Sequence, residues 1–258
     1  DVTVWAELSM ILWSAGLRVT AAWNIATETE SGGLKEGNYV KGTVLLVLRK
    51  QTSVHTAYLY ELYPEIEEEV SRQIEVMQKI DDKDEPNFSD PDYLLAAYAA
   101  SLKVLTSYKK LEDIDVQYEL SRSRKSGEES PVAGIIRNAV KIAYDMLIPA
   151  GFDKLTWKSL SREERFYIKG LDMERTGNYQ VSALQELARG FGVVDYKDML
   201  ASTKANEARL KTAHEYAQKS TGEGFGVSVV REVLGAIYTA VQNESAAAGL
   251  TWLHSQVQ

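Results

Sequence analysis

The opening fifty residues constrain this chain most, because they hold one helix and one hairpin and nothing to close them. Trp5, Leu8, Ile11, Leu12 and Ala15 recur at helical spacing on one face, and Gly16 follows as a C-cap glycine. Residues 17–25 alternate as a half-buried strand does, with Arg18, Thr20, Ala22 and Asn24 on one side and Val19, Ala21, Trp23 and Ile25 on the other. Residues 27–38, with Ser31, Gly32, Gly33 and Gly37, are loop. Residues 40–50 form a second strand, and its near-continuous apolar run 43–48 suits a strand buried on both faces. One helix and two strands cannot enclose a core, so this piece must pack on something else. The chain begins at Asp1 rather than Met and reads as the end of a domain that starts elsewhere.

Composition narrows the function classes. With 258 residues, 45% of them hydrophobic, the chain can hold one large or two ordinary folded domains. A net charge of −8 argues against coating nucleic acid or anionic membrane with the whole surface, while leaving room for a local basic groove. There is no cysteine, hence no disulfide and no thiolate zinc site. His55, His214 and His254 are far apart, without carboxylates at metal-ligand spacing, so no metal is expected. No apolar run has transmembrane length and no signal segment opens the chain; a cytoplasmic protein without a membrane partner is expected.

Beyond residue 51 the pattern is almost wholly helical. Leu59, Leu62, Tyr63, Ile66, Val70, Ile74 and Met77 form a helical stripe, with Pro64 starting or kinking a helix. Asp90-Pro91 and Ser130-Pro131 are cap-plus-proline starts for helices reaching about residues 109 and 148. Ser161 with Glu164 is a capping box for residues 162–174. Further helices are expected from 178 to Gly190 or Gly192, and over 206–219, 227–243 and 246–257. The polar stretch 122–130 is the best internal boundary, which divides the chain into 1–50, 51–130 and 131–258. The fold class expected is mainly α, a helical region behind a closing helix and antiparallel β-hairpin.

The segment Arg18-Val19-Thr20-Ala21-Ala22-Trp23, a polar loop, and Val44-Leu45-Leu46-Val47-Leu48-Arg49 resemble the sixth and seventh strands of a class I (Rossmann-like) methyltransferase, preceded by its last helix. Glu61-Leu62-Tyr63-Pro64-Glu65-Ile66-Glu67, Tyr98-Ala99-Ala100, Glu163-Glu164-Arg165-Phe166-Tyr167 and Glu186-Leu187-Ala188-Arg189-Gly190-Phe191-Gly192 resemble the C-terminal part of a prokaryotic family of adenine-specific DNA methylases. Those are large proteins with an N-terminal domain of unknown function, often found beside a large ATPase in phage-defence clusters. The resemblance implies transfer of a methyl group from S-adenosylmethionine to the exocyclic amine of adenine by the full-length enzyme, with DNA as partner and the ATPase as a second one.

Such chemistry needs a glycine-rich cofactor turn after the first strand and an Asp/Asn-Pro-Pro-Tyr/Phe motif that holds the flipped base. Neither is in this chain. Asp90-Pro91-Asp92-Tyr93 lacks the second proline and reads as a helix cap. Gly222, Gly224 and Gly226 precede a helix, but no apolar strand precedes them, so they read as a helix–helix turn. The chain alone is therefore expected to have no catalytic residue, to bind no cofactor and to be inactive.

The resemblance places the loop between the two strands at the target-base pocket, with Thr27, Glu28, Asn38 and Tyr39 as its border; a solvated hairpin loop is the plainer reading. Lys204 and Lys211, seven apart and so on one helix face, could grip DNA phosphates together with Arg209, or be a solvated helix paired with Glu207 and Glu215. Arg122, Arg124 and Lys125 form a second basic cluster, a phosphate contact or an ordinary linker. Tyr58, Tyr60 and Tyr63 could stack on bases, but Leu59, Leu62 and Ile66 beside them suggest core packing. A different class of function is a non-enzymatic helical docking module for another defence protein.

Overall fold

The computed structural model describes residues 2–27, 42–81, 88–125, 127–175, 177, 179–204, 206–216 and 224–256. It is mainly helical with small two-stranded sheets. It divides into two compact units, Asp1–Leu147 and Ile148–Gln258.

In the first unit, α1 (Val2–Ser14) ends at Gly16, whose φ of +67° is the left-handed conformation expected of a C-cap glycine. β1 (Leu17–Ala26) and β2 (Gly42–Lys50) pair antiparallel. After a two-residue strand β3 (Thr56–Ala57) and a 3-10 turn (Leu59–Leu62), α2 (Tyr63–Ile80) buries Ile66, Val70, Ile74 and Met77. α3 (Asp90–Leu105) is apolar on nearly every side and buried almost throughout, as the central helix of a core must be. β4 (Lys110–Leu111) pairs parallel with β3, and α4 (Val116–Ser121) follows. α5 (Ala133–Met146) packs on α1, α2 and α3 through Ile135, Ile136, Ala139 and Ala143.

That packing explains why the chain divides after Leu147 and not near residue 130. The stretch 122–130 is polar, yet the helix behind it buries its apolar face in the first unit. The helix at Pro91 begins one residue earlier than expected. Ser89 is its N-cap, closing a capping box with Asp92, and it stops at Leu105.

In the second unit, α6 (Lys154–Ser159), α7 (Arg162–Arg175) and α8 (Val181–Phe191) enclose Trp157, Phe166, Tyr167 and Leu187. The Ser161–Glu164 box is present: the Glu164 carboxylate accepts the Ser161 N–H at 2.8 Å, and the Ser161 hydroxyl accepts the Glu164 N–H at 3.2 Å. A hairpin of β5 (Leu200–Lys204) and β6 (Glu207–Leu210), a one-turn α9 (Ala213–Tyr216), then α10 (Val229–Gln242) and α11 (Ala246–Gln256) complete the unit.

The helix expected over 206–219 is thus corrected. Glu207–Leu210 is a strand, with Ala208 and Leu210 buried and Glu207 and Arg209 facing outward, a period of two. The Ala208 N–H is taken by the Tyr179 carbonyl, and the Asn206 carbonyl accepts the Val181 N–H. Backbone from a distant part of the sequence decides the conformation, against residues that favour helix.

Candidate functional site

The hairpin of β1 and β2 is the site to which sequence points, and its geometry follows from one irregularity. The register breaks between Val19 and Ala21, so β1 carries an extra residue at Thr20. Beyond the bulge, Ala21, Trp23 and Ile25 lie opposite Val47, Leu45 and Thr43; before it, Arg18 lies opposite Arg49. Side chains alternate faces along β2, so Thr43, Leu45, Val47 and Arg49 share one face. Arg18 therefore joins Trp23 on that face, although simple alternation would put it on the other.

The opposite face is the packed one. The Thr106 hydroxyl accepts the Val19 N–H at 2.8 Å, and the Gln73 amide donates to the Ala22 carbonyl at 3.1 Å, so side chains from the end of α3 and from α2 meet the far edge of β1. Asp92, 2% exposed, joins α3 to the start of β2. One carboxylate oxygen accepts the Gly42 N–H at 2.8 Å, while the other accepts the Ser89 N–H and hydroxyl at 2.8 and 2.7 Å. Gly42 fits because a Cβ there would lie 2.9 Å from the Ile25 carbonyl oxygen and 3.2 Å from the Asp92 carboxylate. Asp92 is thus a structural clamp, in keeping with the helix-cap reading of its motif.

β2 itself departs from expectation, since no residue in it is fully buried. Among the described residues the sheet has two strands and helices cover one face, so Leu45 stays 44% exposed and Trp23 opposite it 57%. Beyond its pairing with β1, β2 uses the Gly42 N–H on Asp92 and accepts the Thr20 hydroxyl at the Val47 carbonyl. Among the described residues its outer edge has no strand beside it.

Of the four residues expected at the pocket border, Thr27 is placed: it is exposed at the end of β1, its hydroxyl 3.1 Å from that of Thr43. Glu28, Asn38 and Tyr39 lie outside the described residues. Tyr58 and Tyr60, expected in the core, are instead exposed and stacked on each other at 5.8 Å, while Leu62 beside them is buried.

Most of the basic residues proposed for DNA are engaged internally. Arg122 bridges Glu119 and Glu128, whose hydrogen bonds hold its guanidinium above its usual pKa. Arg124 lies 3.3 Å from Glu7 and donates to the Glu119 carbonyl at 3.0 Å. Arg209 grips both oxygens of Glu215. Lys211 sits 5.5 Å over the Tyr216 ring, at the wall of a cleft of about 790 Å³ that also holds Arg162, Arg231, Asp195, Asp198 and Glu215, charges of both signs. Lys204 ends β5 and pairs in register with Glu207, so it shares no helix face with Lys211. Lys125 is exposed, and its backbone N–H is held by Glu128. Arg18 and Arg49, by contrast, have no side-chain hydrogen-bond or ion-pair partner among the described residues. Sequence reading missed them because only the bulge brings them face to face.

The N-terminus of α10, behind the glycine run, is no anion cradle. The Ser228 hydroxyl accepts the Arg231 N–H at 3.2 Å, and the buried Glu164 carboxylate, reaching across from α7, accepts the Val230 N–H at 3.0 Å. A carboxylate already occupies the place an anion would take. Among the described residues no three His, Asp or Glu come together as a metal site, and no helix is long and apolar enough to cross a membrane. No family model, curated protein or solved structure matches the chain.

The described residues offer S-adenosylmethionine no fit. No glycine turn follows a parallel strand leading into a helix, and the one glycine-rich helix start is capped from within.

Proposed function

We infer that this chain is the C-terminal portion of an S-adenosylmethionine-dependent adenine-specific DNA methyltransferase of the cytoplasm. It completes the edge of a catalytic sheet and supplies no catalytic group of its own. The observation that carries this reading is the outer edge of β2. Thr43, Val44, Leu45, Leu46, Val47 and Leu48 present six consecutive residues without proline or charge. Folded proteins blunt such an edge with lysine, proline, a bulge or a cover, because unpaired backbone groups there recruit another strand. Here the bulge lies on β1, whose far edge helices already meet. A sheet continuing beyond β2 satisfies those groups, and Thr27 then stands at a strand end beside the loop assigned to the target base.

The test is N6-methyladenine, measured by mass spectrometry in DNA from cells expressing the whole reading frame that contains this chain. Methylation by the whole frame, and its loss when the frame stops before residue 1, is the expected result. A whole frame that leaves adenine unmethylated sinks the reading.

A second reading, a docking platform for another defence protein such as the large ATPase, has one observation in its favour. Val229, Val233, Ile237 and Val241 recur every four residues along α10 and all are exposed. Val233→Lys with Ile237→Lys should abolish cross-linking to the co-expressed ATPase on this reading and leave methylation unchanged on the first.

A further inference from the structure

Arg18 and Arg49 are directly opposed across the β1–β2 ladder, on the face that leaves Trp23 exposed. Two like charges in directly opposed positions on neighbouring strands destabilise a sheet. Nothing among the described residues offsets that repulsion. Lys50 adjoins the pair, exposed at the end of β2 and likewise without an ion pair among the described residues. Elsewhere in this acidic chain, arginines such as Arg122, Arg124 and Arg209 are matched by carboxylates. An oxyanion bridging the two guanidinium forks would neutralise the repulsion and take up their free donors.

We propose that Arg18 and Arg49 form a clamp for a backbone phosphate of single-stranded DNA, with Trp23 as the stacking surface for a base of the same strand. The choice of ligand rests on the shape and neighbours of the clamp. It lies on an open sheet face and not in a pocket, which suits a polymer of phosphates better than a small anion. Leu45, opposite Trp23, is four residues from Arg49, so the indole stands about 13 Å along the strand from the clamp. Cations beside an exposed aromatic ring are the arrangement by which proteins hold single strands, because every unpaired base has a face to stack. A duplex keeps its base faces inside and gives Trp23 nothing to cover. The clamp uses the face of the hairpin and leaves the edge of β2 free, so it does not depend on methyl transfer.

Fluorescence anisotropy of a labelled single-stranded oligonucleotide, titrated with the 258-residue chain, tests this directly. Arg49→Gln and Arg18→Gln should each weaken binding about tenfold or more and lower the salt slope by about 0.7 for each phosphate no longer held. Trp23→Ala should weaken it by a similar factor with the salt slope unchanged, and Arg209→Gln should have no effect. Inorganic phosphate at the same concentration of phosphate groups should compete poorly. The proposal is overturned if the Arg18 and Arg49 variants bind as the parent does, if matched duplex binds more tightly than single strand, or if inorganic phosphate displaces the oligonucleotide fully. Circular dichroism of each variant separates a binding defect from a folding defect. Since N6-methyladenine in cells is a separate readout, the clamp and the methyltransferase reading can fail independently.

Discussion

The described residues include two antiparallel hairpins, each with a register break near one end, and they treat their surroundings in opposite ways. The hairpin of β5 and β6 is short, carries charge on its outward positions, and is closed by its own unit. Leu210 is fully buried, its N–H is held by Glu174 at 2.6 Å, and Arg209 is locked on Glu215. The hairpin of β1 and β2 is longer and more apolar. It is met by helices along one face, along the edge of β1 and at the start of β2, and it opposes two arginines that no carboxylate answers among the described residues. The first is a structural element that finishes inside its unit. The second leaves a face open and its β2 edge without a neighbouring strand among the described residues.

The largest expected effect lies in the closed hairpin. Leu210→Ala should cost roughly 2–5 kcal/mol, because a fully buried leucine leaves a cavity that its neighbours only partly fill. Urea unfolding followed by tyrosine and tryptophan fluorescence checks it, and the shift should fall on the transition of the second unit. A loss under about 1 kcal/mol would mean that β6 is not held as described.

Next comes the clamp that ties the open hairpin to its helix. Asp92→Ala should cost about 1–3 kcal/mol, since it removes a helix cap and leaves the Gly42 N–H without its acceptor. Hydrogen exchange should speed up at Gly42 and its neighbours in β2 while β6 keeps its protection. Equal loss in both hairpins would erase the distinction between them.

The closed hairpin should also carry an acid-sensitive contact. Hydrogen bonds from Arg209 and from the Thr212 N–H lower the Glu215 pKa to about 2 from an ordinary value near 4.5. A folded value below the unfolded one means stability that is present above about 4.5 and lost as pH falls towards about 2. Glu174 has the opposite sign: burial raises its pKa, so its contribution declines as pH rises through the folded value. The clean measurement is the difference in urea midpoint between the parent and Glu215→Gln. That difference should be constant above the window and shrink within it; a pH-independent difference would remove the pair from the account of acid stability.

How far these features can be read from sequence depends on how local their causes are. The Ile66, Val70, Ile74 and Met77 stripe and the Ser161–Glu164 box were legible because helix periodicity and capping act within four residues. The first hairpin was legible because an alternating stretch and an apolar run flank a series of turn formers. β6 was not, since Glu207, Ala208, Arg209 and Leu210 all tolerate helix and the decisive partners, Tyr179 and Glu174, lie far back in the chain. The Arg18–Arg49 opposition was hidden for a different reason. One extra residue at Thr20 reverses the face of everything before it, and nothing in the residue types announces a bulge there. Sequence also showed positive charges without their partners, so Arg122, Arg124 and Arg209 looked available for DNA when each already faces a carboxylate.

The smallest expected effect is the sharpest probe of the open face. Leu45 and Leu210 are the same residue type in two antiparallel hairpins, one 44% exposed and the other fully buried. Leu45→Ala should change the stability of the chain by no more than about 0.5 kcal/mol, because truncating a solvated side chain opens no cavity. The same substitution in the whole reading frame is the informative contrast. If further sheet pairs with the edge of β2 and leaves this face to a ligand, Leu45→Ala stays nearly neutral there too. If the added chain instead lies across the face, the cost rises towards that of Leu210→Ala, and Trp23 is no longer free to stack on a base. One substitution measured in two lengths of chain therefore distinguishes an edge that is extended from a face that is covered.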